Sequence, residues 1–93
     1  MPRRVVVTER FARSYQKLPL DGQQTVDSAL HSLKRYMESG QAEAGLGLKR
    51  LHRRTCECRA GLFLRVVYVV EGDAVFLAFV GRHDDVRRFL KSH

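Results

Sequence analysis

TCECRAGLFLRVVYVVEGDAVFLAFV, residues 55–80, decides the fold of this 93-residue chain. It is dense in Val, Phe, Leu and Tyr, the residue types that suit a pleated, half-buried surface. Ala60-Gly61 and Gly72-Asp73 interrupt it as turn signals. Three strands are predicted here, over 55–59, 62–70 and 74–80. Connections this short join antiparallel neighbours. Side chains alternate between the two faces of a strand. One face therefore takes Leu64, Val66, Tyr68, Val70, Val75, Leu77 and Phe79. The other takes Phe63, Arg65, Val67 and Val69, with Ala74, Phe76, Ala78 and Val80. Both faces are apolar, apart from Arg65.

Upstream, residues 48–53 read as a further strand, after the small and flexible QAEAGLG of 41–47. Before that loop the apolar period changes to three and four. Val26, Leu30, Leu33 and Met37, with Ala29, make one helical stripe that Asp21 opens and Gly40 stops. Phe11, Ala12, Tyr15 and Leu18 make another, capped by Thr8 and ended by Pro19. Val5, Val6 and Val7 give a first strand within 4–8. Downstream, Val86, Phe89 and Leu90 recur at helical spacing behind Asp84 and Asp85, either of which can cap the turn. The predicted order is β-α-α-β-β-β-β-α in one domain spanning 1–93. It is a two-layer α+β fold, a mainly antiparallel curled sheet with two N-terminal helices on one face. The Phe63–Arg65–Val67 face is then left without a covering layer, and an apolar surface left open suits a protein partner.

Charge narrows the function. Seventeen Lys and Arg against ten Asp and Glu leave a net +7. That much positive charge on a small domain attracts polyanions, nucleic acid foremost. No stretch approaches the roughly 18 apolar residues of a spanning helix, and MPRRVVVTER lacks the apolar core of an export signal. No membrane role is expected. Cys56 and Cys58, two apart on one strand, are poorly placed for a disulfide and read as small buried residues of a cytoplasmic protein. With His52 the sole nearby third ligand, a zinc site is not expected.

Arg65 is the most informative residue. A guanidinium in FLRVVYVV is costly unless an anion or a carboxylate meets it. Two readings stand side by side: a phosphate ligand, or an ion pair with Glu57. Glu57 and Arg59 share a face. A three-residue loop, 60–62, pairs Arg59 with Phe63 and Glu57 with Arg65, and gathers the three charges on the open face. A two-residue loop puts Cys56 and Cys58 there instead. The first is preferred, because it keeps both charges away from the helices. His83, in VGRHDDV, stands at a strand end where an imidazole can transfer protons, with Asp84 or Asp85 to orient it. Taken as an isolated histidine, it reads more readily as part of a polar turn and helix cap, Arg82 to Asp85. His52 is a weaker candidate of the same kind, and His31 and His93 have no supporting context. Metal-free RNA cleavage needs cations on the phosphate and groups that move protons. Glu57, Arg59, Arg65 and His83 suffice, with no metal or other cofactor. Lys49, Arg50, His52, Arg53 and Arg82 are the candidate RNA-binding residues.

The chain resembles the RelE/ParE toxin superfamily. The matching stretches are FARSYQKLP at 11–19, GLKRL at 47–51, CECR at 56–59, LRVVYVV at 64–70 and VGRHDDV at 80–86. The resemblance implies a RelE-like fold and the toxin of a bacterial toxin–antitoxin pair. Its mRNA-cleaving members inhibit translation, often on the ribosome, and a cognate antitoxin silences them by wrapping the toxin. Arg65 matches the family's phosphate-binding arginine, and Arg59 the arginine before the hairpin turn. His83 falls where cleaving members carry an arginine or histidine. RelE's pair of lysines is not matched, Thr55, Cys56, Glu57 and Cys58 occupying that region, and the late tyrosine of some members has no clear match, Arg88 and Phe89 standing near its place. An antitoxin segment, apolar and acidic, is expected on Phe63, Val67, Val69 and Phe76. The alternatives are a ParE-like gyrase inhibitor without a nuclease site, or a binding module without activity; fold alone does not choose.

Overall fold

In the computed structural model, which describes residues 4–92, β1 (Arg4–Val7) leads into α1 (Glu9–Gln16) and α2 (Leu20–Ser39). Then come β2 (Lys49–His52), β3 (Thr55–Ala60), β4 (Leu64–Glu71), β5 (Ala74–Arg82) and α3 (His83–Lys91). The five strands form one open mixed sheet in the order β1-β5-β4-β3-β2. β1 runs parallel to β5, and every other pairing is antiparallel. The predicted element order is observed. His93 lies outside the described residues, as do Met1–Arg3. No helix among the described residues is long and apolar enough to cross a membrane.

Local chemistry sets the helix ends. The Thr8 hydroxyl accepts from the Phe11 N–H at 3.1 Å and donates to the Leu77 carbonyl at 2.7 Å. One side chain thus caps α1 and ties it to β5. Pro19 precedes α2, and Gly40 closes it at φ +78°, its N–H on the Tyr36 carbonyl. α1 and α2 bury Phe11, Val26, Ala29 and Leu33 against Cys58, Ala60, Val66, Tyr68, Val75, Leu77 and Val80. This is the main core.

Three features correct the sequence reading. The β3–β4 turn is Gly61-Leu62-Phe63, because Ala60 belongs to β3 and pairs with Leu64. Arg59 therefore faces Arg65, and Glu57 faces Val67, a shift of two positions from the expected pairing. A shift of two preserves the face of every residue, so Glu57, Arg59 and Arg65 still share one. Second, β5 carries a bulge. Val67 pairs with Phe79 and Tyr68 with Leu77, which leaves Ala78 without a partner. Beyond the bulge the alternation inverts: Val80 enters the main core and Phe79 turns to the opposite face. Third, that opposite face is partly covered. α3 packs Val86 and Phe89 onto Val67, Ala78 and Phe79. The Phe79 and Phe89 rings stack at 4.7 Å, and the Arg10 guanidinium lies 5.5 and 5.2 Å from the two ring centres. Where α3 lies, helices therefore pack on both faces of the sheet.

Candidate active site

The face that α3 only half covers holds two rows of side chains, read straight from the strand register. Lys49, Glu57, Val67 and Phe79 form one row across β2, β3, β4 and β5. Arg59, Arg65 and Gly81 form the next. α3 sits over the Val67–Phe79 end. Lys49, Glu57, Arg59 and Arg65 remain beside it.

Glu57 lies at the centre, with 5% of its surface exposed. Arg65 Nη1 donates to Glu57 Oε2 at 2.8 Å, diagonally across the two strands. The Arg65 side chain keeps a quarter of its surface open to solvent. The pair meets the need of each group: a carboxylate this buried requires a cation, and the arginine keeps donors free for a further acceptor. Of the two readings of Arg65, the ion pair is present, and it leaves the second possible.

Arg59 is exposed, and its guanidinium has no hydrogen-bond or ion-pair partner among the described residues. β2 stops short of it, so its backbone N–H donates to the Leu46 carbonyl instead, at 2.7 Å. Its aliphatic stem lies across Gly47. A Cβ at Gly47, whose φ is +59°, would come within 2.8 Å of the Arg59 stem. The glycine thus gives the arginine its channel along the sheet edge. Arg59 and Arg65 are directly opposite in the β3–β4 register and so place two cationic residues on the face that holds Glu57. Such an arrangement attracts a bound anion.

His83 is the first residue of α3 and is exposed. The β4–β5 register carries it to the Arg65 end of the sheet, since Arg65 pairs with Gly81 and Leu64 with Arg82. No hydrogen bond among the described residues joins its imidazole to Glu57, Arg59 or Arg65. Asp85 does not orient it. One Asp85 oxygen accepts from the Arg82 N–H at 3.1 Å, closing the first turn of α3, and the other pairs with Arg88. Arg82 itself precedes the helix, where Asp84 or Asp85 was expected as the cap.

The remaining expected RNA-binding residues lie along the sheet's outer edge. Arg50, His52 and Arg53 are exposed on β2 and its turn, and Arg50 Nε donates to the Arg53 carbonyl at 2.7 Å. Lys49 shares the Glu57 row and so belongs to the site itself. Of the residues expected to meet a partner, Val67 is fully buried under α3, Val69 and Phe76 are half-buried, and Phe63 is exposed in the turn. Cys58 lies in the main core, where burial, with the Glu57 charge nearby, pushes its thiol up to about 12. No group of three or more His, Cys, Asp or Glu among the described residues is placed to hold a metal ion. Sequence reasoning did not find the Gly47–Arg59 contact. The GLG of 45–47, just before a basic strand, was its only signal.

No family model matches the sequence, and no curated protein matches it. Solved structures do match in fold. A copper-bound variant of a toxin from Helicobacter pylori is 20% identical, with a TM-score of 0.73 over 90% of this chain and 98% of that one. The toxin–antitoxin complex of YafQ with DinJ from E. coli contains a chain 10% identical, TM-score 0.69, over 92% and 98%. The RelB–RelE antitoxin–toxin complex from Methanococcus jannaschii gives 13%, 0.67, 90% and 96%. The chain has the RelE-like fold.

Proposed function

We propose that this chain, built on the fold of RelE and YafQ, is the toxin of a toxin–antitoxin pair and cleaves mRNA without a metal. The observation that carries the reading is Arg65, held by buried Glu57 and opposite Arg59 in the strand register, on the half-open face. The sequence resemblance adds that this is where cleaving members grip phosphate.

The roles follow from exposure and pairing. Arg65 and Arg59 take the non-bridging oxygens of the scissile phosphate, and their charge stabilises the pentacoordinate state. In that reaction the 2′-oxygen loses its proton and attacks phosphorus, and the bond to the 5′-oxygen breaks. The products are a 2′,3′-cyclic phosphate and a 5′-hydroxyl. Two protons move, one off the 2′-oxygen and one onto the 5′-oxygen. His83 is exposed and uncommitted, so it is the group of this set free to exchange a proton with substrate. Glu57 is buried and holds Arg65. Its role is to fix the direction of that guanidinium. Lys49, Arg50, His52 and Arg53 steer the RNA backbone along the β2 edge, and Arg82 does so at the end of β5. The partner is a cognate antitoxin whose apolar, acidic segment covers the half-buried Val69 and Phe76.

Arg65→Ala and His83→Ala each lower cleavage by at least about tenfold, the usual loss for a charge-stabilising or proton-transferring group. Mapping of new 5′-hydroxyl ends in cellular mRNA measures this, with plasmid supercoiling followed in parallel. Undiminished cleavage in both variants removes the site. A supercoiling change without new ends selects gyrase inhibition, which no observation here favours.

A further inference from the structure

The β3–β4 turn sets an aromatic ring beside this site, and neither the fold nor the Arg65–Glu57 pair accounts for it. Phe63 is 66% exposed and Leu62 is 89% exposed. The turn that carries them is braced. Gly61 stands at φ +67°, so close to α2 that a Cβ would come within 2.7 Å of Thr25 Cγ2. The Arg82 guanidinium lies 5.4 Å from the Phe63 ring centre, and Arg82 is the strand partner of Leu64. A cation thus backs one face of the ring, and two thirds of the residue remains open. Beside it a groove of about 400 Å³ runs between Leu18, Pro19, Gly22, Gly81 and the turn. It is large enough for a small planar group.

We propose that Phe63 is the stacking platform for a nucleobase of single-stranded RNA, next to the phosphate that Arg65 grips. The inference rests on the ribonuclease reading and adds a subsite to it. Phe63 and Arg65 are two positions apart, about 7 Å along an extended chain, within the span of one nucleotide. The surroundings favour nucleic acid as the occupant. Arg82 backs the ring, and of the two carboxylates lining the groove Asp85 is paired with Arg88 and Asp21 accepts from the Gly22 N–H at 2.9 Å. A flat base attached to a negative backbone complements an exposed aromatic ring beside a cation, on a chain whose net charge is +7. Stacking requires no particular base, so the subsite positions RNA rather than selecting a sequence.

The chain contains no tryptophan, so Phe63→Trp places a single indole reporter in the full-length protein. The probe is a 2′-O-methyl RNA oligonucleotide, which lacks the attacking hydroxyl and is not cleaved. Saturable quenching of the Phe63→Trp fluorescence is expected, weakened by salt. Phe63→Ala should weaken binding of the same oligonucleotide about tenfold, while its melting temperature stays within a few degrees of the parent's. Phe63→Tyr should bind like the parent. If the parent binds and cleaves RNA while Phe63→Ala binds equally and Phe63→Trp is not quenched, the subsite is refuted and the nuclease stands. If the parent neither binds nor cleaves RNA, both readings fall. If Phe63→Ala keeps its RNA affinity but loses binding of an acidic partner protein, the turn is a protein interface and the proposal is wrong.

Discussion

Truncating Arg65 should harm the fold more than neutralising Glu57 does, because the two partners of this ion pair are buried unequally. Arg65→Ala leaves a carboxylate with 5% of its surface exposed and takes away its ion-pair partner. Breaking a buried pair by removing one partner costs about 3–5 kcal/mol. Glu57→Gln keeps the shape and one acceptor oxygen. The guanidinium it orphans has a quarter of its surface in solvent, so the loss should be about 1–2 kcal/mol. At about 4–8 °C per kcal/mol for a domain of this size, the first variant melts at least about 12 °C below the parent and the second about 4–16 °C below. The double variant Glu57→Gln/Arg65→Ala removes both charges at once. It should recover roughly 2 kcal/mol relative to the sum of the single losses. Urea unfolding followed by circular dichroism measures all four proteins. Equal losses in the two single variants, or strict additivity in the double, would refute the claim that Glu57 exists to hold Arg65. The same numbers set the condition for the cleavage assay: Arg65→Ala must be compared at a temperature where it is folded.

Gly47→Ala should cost about 1–2 kcal/mol through its left-handed backbone alone, and by pushing the Arg59 stem aside it should also weaken RNA binding in a filter assay; normal affinity would show that the channel does not position Arg59. Cys58, in a Cys56→Ser background, should resist an aromatic disulfide reagent at pH 8 until urea unfolds the chain, since burial disfavours its thiolate. Its folded value, about 12, lies above the ordinary 9.0, so the stability it contributes is full below about pH 9 and falls as the pH rises toward 12; a flat urea midpoint across that window would count against it. Phe89→Ala removes a ring stacked on Phe79 and should cost about 3 kcal/mol, with faster hydrogen exchange at Val67 as α3 loosens; unchanged exchange there would mean that α3 does not protect that strand.

The sequence made the elements legible because their periods differ sharply: threes and fours before Gly40, twos after Leu48. It also placed Glu57, Arg59 and Arg65 on one face, since that depends only on parity. The register escaped it. Leu62 and Phe63 are good strand formers, and nothing in their chemistry announces that a turn holds them outward. Phe79 and Val80 were assigned to the wrong faces because the bulge falls at Ala78, where no glycine marks it. The covering role of α3 was missed for a different reason: element order does not say which side of a sheet a terminal helix takes. His83 was rightly placed near the end of β5, but as the tail of a strand rather than the start of a helix.

The parallel pairing of β1 with β5 has a consequence for the newborn chain. The bond from Thr8 to Leu77 joins positions 69 residues apart. At about 5–20 residues per second, the first strand waits roughly 3–14 s for its neighbour to be synthesised. Until then the β3–β4 hairpin has no flank on its β5 side, and an isolated hairpin is marginal in water. A stalled or prematurely terminated product therefore carries Arg59 and Arg65 on a sheet that topology alone leaves unfinished.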